Sequence, residues 1–282
     1  MTNRRALCAG INNFKNYPQA ALQGCINDAN QMKGVLKEFL GFTDADISVL
    51  TDSQATKSGI MTQLKDMVAG ARAGKYGYLV FSLSSHGTQV PDTSGDEPDR
   101  ADEAFCPHDL AEKAGQWDSN HIIADDELHD LLVQVPQNVL LEVYLDTCHS
   151  GTGLKAIDML LDRKPRYLPP PSTEGFLALE GKRSRGLQKA LLEKGMTHQI
   201  LWAACRSDQT SADAKIGGTW HGAFTYYFEK EIRACKNKLS RKNLLAKIRT
   251  DLSASHYSQV PQLECPATDK NALIATHERA AA

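Results

Sequence analysis

Short apolar runs alternate with amphipathic stretches along most of the chain. Arg5–Ile11, Ile47–Leu50, Tyr78–Leu83, Val139–Leu145 and Gln199–Ala204 have the composition and length of buried strands. Between the first two, Ile26, Ala29, Met32, Val35, Leu36 and Phe39 recur at helical spacing, and Gly41 stands at the stop position, which predicts a helix over Asn27–Leu40. A second stripe, Ile60, Leu64, Met67, Val68 and Ala71, is closed by Gly74. Near the other end the pattern predicts helices over about Ala223–Cys235 and Lys242–Ser253, and a last strand near Gln262–Cys265. Alternation of this kind implies an α/β fold with a mostly parallel sheet and helices on both faces.

Two stretches break the rhythm. Asp92–Asp130 holds 13 acidic residues against two basic ones, more than a solvated loop needs, which suits a bound cation or a basic ligand. Arg163–Lys189 holds seven basic residues, two acidic ones and Pro165, Pro169, Pro170 and Pro171, the composition of an exposed linker. The expected division is therefore a large portion over residues 1–154, a basic linker over 155–197 and a small portion of the same sheet over 198–282.

Composition removes several alternatives. Lys plus Arg is 32 and Asp plus Glu is 34, a net charge of −2, which argues against a dedicated nucleic-acid partner. The longest apolar run, Ile200–Cys205, is six residues, so no membrane association is expected. Arg4 and Arg5 are followed by no sustained apolar segment, so no secretory leader is expected. Seven cysteines without a CxxC pair suit reduced thiols in a cytoplasm. Cys106-Pro-His108 lacks a second pair of zinc ligands, and no GxGxxG or GxxxxGK follows a strand.

In an open α/β sheet, ligands bind outside the carboxyl ends of the strands. One predicted strand ends at His86-Gly87 and another at Cys148-His149, so an imidazole and a thiol can face one crevice. Such an imidazole activates a thiol, and Gly87, lacking a β-carbon, lets its N–H reach a substrate carbonyl beside the N–H of Cys148. His149 would point to the other face and is the poorer base. Spacing alone also leaves Cys148 open to a plainer reading, a small buried hydrophobe.

The pair FSLSSHG (Phe81–Gly87) and LDTCHSG (Leu145–Gly151) resembles the catalytic blocks of metacaspases, caspase-like cysteine peptidases, here of the prokaryotic type. ALCAGIN (Ala6–Asn12), GCINDA (Gly24–Ala29), DEPDRADE (Asp96–Glu103), IADDEL (Ile123–Leu128) and ACRSDQTSAD (Ala204–Asp213) resemble further blocks in the family's order. The resemblance implies a caspase-like three-layer αβα sandwich with about six strands, and a cysteine endopeptidase cutting after Arg or Lys. It implies His86 and Cys148 as the catalytic pair, Gly87 and Cys148 as oxyanion donors, and Cys25, Asp28, Ser84 and Asp146 as the primary specificity pocket. Two carboxylates in a narrow crevice suit a guanidinium and repel an acid. In isolation Asp28 also reads as an acid interacting with a helix dipole.

Calcium, held by four aspartates in many such enzymes, would draw here on Asp102, Asp125 and Asp126, with Lys155 at the fourth position. Lysine cannot ligate calcium, so no required cofactor is expected. Self-cleavage of a zymogen is expected at Arg163, Lys164, Arg166, Lys182, Arg183 or Arg185. The expected partners are proteins with exposed Arg or Lys and an upstream activator, acting on a cytoplasmic monomer in regulated proteolysis. The alternatives are an idle caspase-like scaffold and a clan relative with another specificity.

Overall fold

The structure, a computed structural model, describes residues 3–91, 101–148, 163–172, 199–206 and 209–276. In chain order the elements are β1 (Arg4–Gly10), α1 (Cys25–Phe39), β2 (Ile47–Thr51), α2 (Lys57–Arg72), β3 (Tyr78–Ser84), β4 (Gly87–Pro91) and β5 (Ala101–Phe105). There follow a hairpin of β6 (Glu112–Lys113) and β7 (Gln116–Trp117), then β8 (Ile123–Ala124), α3 (Asp125–Leu132) and β9 (Leu140–Asp146). The rest comprises β10 (Arg163–Pro165), β11 (Gln199–Ala203), β12 (Ala212–Ile216), β13 (Thr219–Gly222), α4 (Ala223–Cys235), α5 (Arg241–Ala254), β14 (Gln262–Glu264) and α6 (Ala267–Asn271).

Six strands form the central sheet in the order β14-β11-β9-β3-β1-β2. All its pairs are parallel except β11 with β14. Period-two alternation splits the strand residues between two cores. Leu7, Leu79, Phe81, Leu83, Leu141, Val143 and Leu145 pack with α2 and α3 on one face. Ala6, Cys8, Val80, Tyr144, Ile200 and Trp202 pack with α1, α4 and α5 on the other. The expected three-layer α/β sandwich is therefore what the chain adopts, and the strand boundaries fall within a residue or two of the apolar pattern.

Two polar stretches depart from expectation. Part of the acidic segment folds: β5 pairs with β4 and β8, and α3 follows directly. The basic linker, where it is described, is not a solvated loop. β10 pairs antiparallel with β12, extending the β12–β13 hairpin to three strands. Charge density alone carries no information about such long-range pairing. Lys155, Lys182, Arg183 and Arg185 lie outside the described residues. Among the described residues no helix is long and apolar enough to cross a membrane.

β9 brings one charge into the core as well as one to its end. Glu142 is fully buried, and the hydroxyls of Tyr78 and Tyr144 donate to its Oε2 at 3.1 and 2.6 Å. Arg241, at the start of α5, donates to Oε1 through Nε at 2.9 Å and also through Nη2. Arg241 Nη1 satisfies the Asp269 carbonyl at 3.0 Å. The pair ties the central strand to α5 and, through the Asp269 carbonyl, to α6.

Glu142→Gln should leave a buried guanidinium without its counter-charge and cost about 3–5 kcal/mol of stability, read as a lowered denaturant midpoint. The double variant Glu142→Leu/Arg241→Met should recover most of it. A single-variant cost below about 1 kcal/mol would remove the pair from the list of fold determinants.

Candidate active site

The site is built from the carboxyl ends of β1, β3 and β9. β3 and β9 are neighbours, with Ser84 opposite Asp146, so the residues that follow each strand emerge side by side. The end of β1 supplies the entry to α1: Asn12 Oδ1 accepts from the backbone N–H of Cys25 at 2.9 Å and of Ile26 at 3.3 Å. That cap replaces the one Gly24 has no side chain to make, and it seats Asp28 in the first turn.

His86 sits just beyond β3. The carbonyl of His86 accepts from Cys106 N at 3.0 Å, and Ser85 Oγ donates to Cys106 O at 2.6 Å, which fixes the turn. The ring's Nε2 lies 2.8 Å from the Ala20 carbonyl, so the proton belongs on Nε2. Among the described residues the buried Nδ1 has no hydrogen-bond partner, and the ring lies beside the Arg166 backbone. Burial pulls the imidazole down to about 4, against the raising effect of the Ala20 and Arg166 backbones. A neutral ring with a lone pair on Nδ1 results.

Cys148 stands two residues past β9, fully buried, with its thiol donating to the Gln209 carbonyl. A second thiol, Cys205, donates to the same carbonyl at 3.4 Å. None of the seven cysteines forms a disulfide.

What covers Cys148 is the chain's own segment after β10. The Arg166 carbonyl oxygen accepts from Gly87 N at 2.9 Å and from Cys148 N at 3.2 Å. These are the two N–H groups that the sequence assigns to an oxyanion. Arg166 N donates to Ser211 O at 3.0 Å, and Leu168 N donates to Gly87 O at 2.9 Å. The peptide bond between Arg166 and Tyr167 is thus held from both sides, with its carbonyl polarised beside a thiol and an imidazole.

The Arg166 side chain, 0 % exposed, reaches the floor of the crevice. Nη2 contacts Asp28 Oδ2 at 2.7 Å and Asp213 Oδ1 at 3.0 Å, and Nη1 lies 3.2 Å from Asp146 Oδ1. Each carboxylate also has fixed donors: Gly222 N for Asp28, Ser211 Oγ and Thr225 for Asp146, and Gln23 N and Gly24 N for Asp213. Burial raises the Asp28 carboxyl to about 7 even against the opposing pull of the Arg166 guanidinium. For Arg166 burial works against the charge, and the three carboxylates with Cys25 nearby more than reverse it. A β-carbon on Gly222 would overlap Asp146, Arg166 and Asp28, so only glycine keeps the pocket open there.

Of the residues expected from the sequence, Asp28 and Asp146 meet one guanidinium, and Cys25 lies near it with its thiol kept neutral by burial. Ser84 is buried at the end of β3, where its carbonyl holds Ile11 N at 3.0 Å. Asp213 is the residue the sequence reading left without a role. Arg163 and Lys164 point away from the pocket, and the expectation of an exposed position fails for Arg166 because three buried acids outbid water for its charge.

The acids assigned to calcium sit apart from this crevice, around β5 and α3. Burial, then repulsion from Glu103, Asp102 and Asp126, drives the Asp125 carboxyl well above the usual range. Among the described residues no three His, Cys, Asp or Glu side chains converge as a metal-binding group.

A family model described as the caspase domain matches residues 3–273. The chain is 33% identical to metacaspase-1 of Coccidioides immitis and 32% identical to metacaspase-1A of Aspergillus niger, over 93% of its own length. It spans 61% of the first relative and 70% of the second. Among solved structures it superposes on a protein of Geobacter sulfurreducens with a TM-score of 0.66, at 22% identity over 98% of this chain and 99% of that one. Caspase-1 of Spodoptera frugiperda gives a TM-score of 0.57 at 12% identity, over 94% and 86% respectively.

Iodoacetamide should label Cys235, the one half-exposed thiol, well before Cys148 in the uncut chain. Arg166→Ser removes the anchor of the covering segment and should speed Cys148 labelling by about tenfold or more, measured peptide by peptide by mass spectrometry. Equal labelling of Cys148 in both proteins would mean that the segment does not guard it.

Proposed function

The chain belongs to the caspase-domain family, and on that premise we propose that it is a cysteine endopeptidase that cuts after arginine or lysine and whose first substrate is its own Arg166–Tyr167 bond. The observation that carries this reading is the position of Arg166. Its side chain lies on Asp28, Asp146 and Asp213, and its carbonyl lies on the N–H groups of Gly87 and Cys148. In the usual notation Arg166 is P1, the residue before the scissile bond, and Tyr167 is P1′.

The proposed steps use these groups in turn. The Cys148 thiol gives its proton to His86 Nδ1, the ring nitrogen turned away from the Ala20 carbonyl. The sulfur adds to the P1 carbonyl carbon, and the oxygen's developing charge is taken up by the Gly87 and Cys148 N–H groups. The proton on His86 passes to the leaving nitrogen, that of Tyr167 in the first turnover, and the C–N bond breaks. Water then hydrolyses the thioester, returning the thiol and releasing a carboxylate at P1. Before the first step the thiol has to turn from the Gln209 carbonyl towards the imidazole.

Specificity follows from the three acids. A guanidinium meets planar, charge-assisted partners on its two terminal nitrogens, and an ammonium meets fewer of them at one point. An aspartate at P1 would enter a buried cluster of like charge, which costs several kcal/mol, roughly. An idle scaffold would have no use for an unpaired imidazole nitrogen beside a polarised peptide carbonyl.

Fluorogenic peptides differing only at P1 test the reading. Arg and Lys substrates should be hydrolysed, Arg the faster, and Asp substrates should stay untouched. Asp213→Asn should lower kcat/KM for the Arg substrate about tenfold to hundredfold, and Cys148→Ala should abolish turnover with thermal unfolding nearly unchanged. Efficient cleavage after Asp, or turnover without Cys148, would sink it.

A further inference from the structure

Three residues before Arg166 a second arginine is held as specifically as the first. Arg163 Nη1 donates to the His256 carbonyl at 2.7 Å and Nη2 to the Ser255 carbonyl at 2.9 Å. The guanidinium carbon stands 3.8 Å from the centre of the Tyr257 ring. We propose that the turn closing α5 is a binding subsite for arginine at P4, so that the protein substrates this site prefers carry the pattern Arg-X-X-Arg. The inference rests on taking residues 163–166 as bound substrate, the reading set out above, and it names a narrower substrate class for that same site.

The acceptors are built by the fold and do not depend on Arg163. α5 stops with His256 in the left-handed region at φ 59°, His256 N bonded to Ser253 O at 3.0 Å and Tyr257 N to Leu252 O at 2.9 Å. That stop motif satisfies carbonyls inside the last turn and leaves those of Ser255 and His256 to face Arg163. The carboxyl end of a helix favours a cation at just this point. The ring of Tyr257 packs edge-on against Tyr227 at 6.1 Å, and the Tyr227 hydroxyl donates to Ser255 Oγ at 2.6 Å. Ring and carbonyls therefore stand ready before any ligand arrives, which keeps the ordering cost of binding low.

The chemistry selects arginine over lysine. A planar fork meets two carbonyls at once while stacking on an aromatic face, and an ammonium can do neither as well. An acidic P4 would face two carbonyl oxygens with no donor in return. The neighbouring positions offer less. Lys164, at P3, reaches the Ala21 carbonyl only at 3.4 Å and lies 5.9 Å above the Trp220 ring. Pro165, at P2, has no N–H to donate, and its pairing with Ala212 asks for an extended backbone, which proline's fixed φ supplies. Backbone pairing of β10 with β12 holds any sequence in register, with Arg163 opposite Ala214, and the two arginine subsites add the discrimination.

The test is a set of peptides Xaa-Lys-Pro-Arg with a fluorogenic leaving group, Xaa being Arg, Lys, Ala or Asp, hydrolysed by the full-length, self-processed protein. Arg should exceed Ala in kcat/KM by about tenfold, Lys should fall between them, and Asp should fall below Ala. Tyr257→Leu should bring the Arg-to-Ala ratio close to one. A role for Tyr257 in folding alone would instead lower every peptide equally and keep the ratio, and that result overturns the subsite. Equal rates for all four peptides in the wild type overturn it too, while leaving the P1 reading intact. Failure to cut any of them overturns the P1 reading and the subsite together.

Discussion

One guanidinium lies at the centre of this structure. Asp28, Asp146 and Asp213 come from α1, the end of β9 and β12, three elements distant in sequence, and they converge in a space closed to water. Three acids brought together out of solvent repel one another and lose hydration, and such a cluster persists only with a cation and dense hydrogen bonding. Here the cation is Arg166, from the chain's own connector between the two portions of the sheet. Much else follows from its seating: the pairing of β10 with β12, the burial of Cys148 and the place of the Arg166 carbonyl on two N–H groups.

A second buried pair clarifies the first. Glu142 and Asp146 lie four residues apart on β9 and point to the same face of the sheet. Arg241, the partner of Glu142, belongs to a helix packed on that face and, among the described residues, pairs with no other acid. It is part of the scaffold. Arg166 instead sits on a segment held mainly by β-pairing and by the pocket itself. Severing the backbone after it leaves its hold on the acids to compete with any other arginine in solution. The same electrostatics that stabilise the uncut chain would then select the substrate of the cut one.

The sheet was legible in the sequence because short continuous apolar runs report burial on both faces. Tyr78–Ser84 and Leu140–Asp146 could hardly be anything else, and α4 falls on Ala223–Cys235 as its stripe predicts. Asp28 and Asp146 were legible through motif resemblance supported by a simple charge argument. Asp213 was not, because a single acid in a short strand looks like an ordinary surface residue until its neighbours in space are known. The segment around Arg166 misled for a related reason. Lysine, arginine and proline in a row describe an exposed loop when only composition is read, and nothing local reveals a pocket formed by residues 138, 20 and 47 positions away. The acidic stretch failed in the same way: its apolar alternation is too short to announce β5 and β8, though Asp125–Leu132 carries a helical stripe.

The central claim is that Arg166 is held as a substrate and not merely as a structural ion pair. Mass spectrometry with amino-terminal sequencing of the purified chain, sampled over time, tests it most directly. The account predicts a fragment beginning at Tyr167, absent from both Cys148→Ala and Arg166→Ala proteins. A fully active preparation in which the Arg166–Tyr167 bond stays intact, or in which cuts fall only elsewhere, would contradict it.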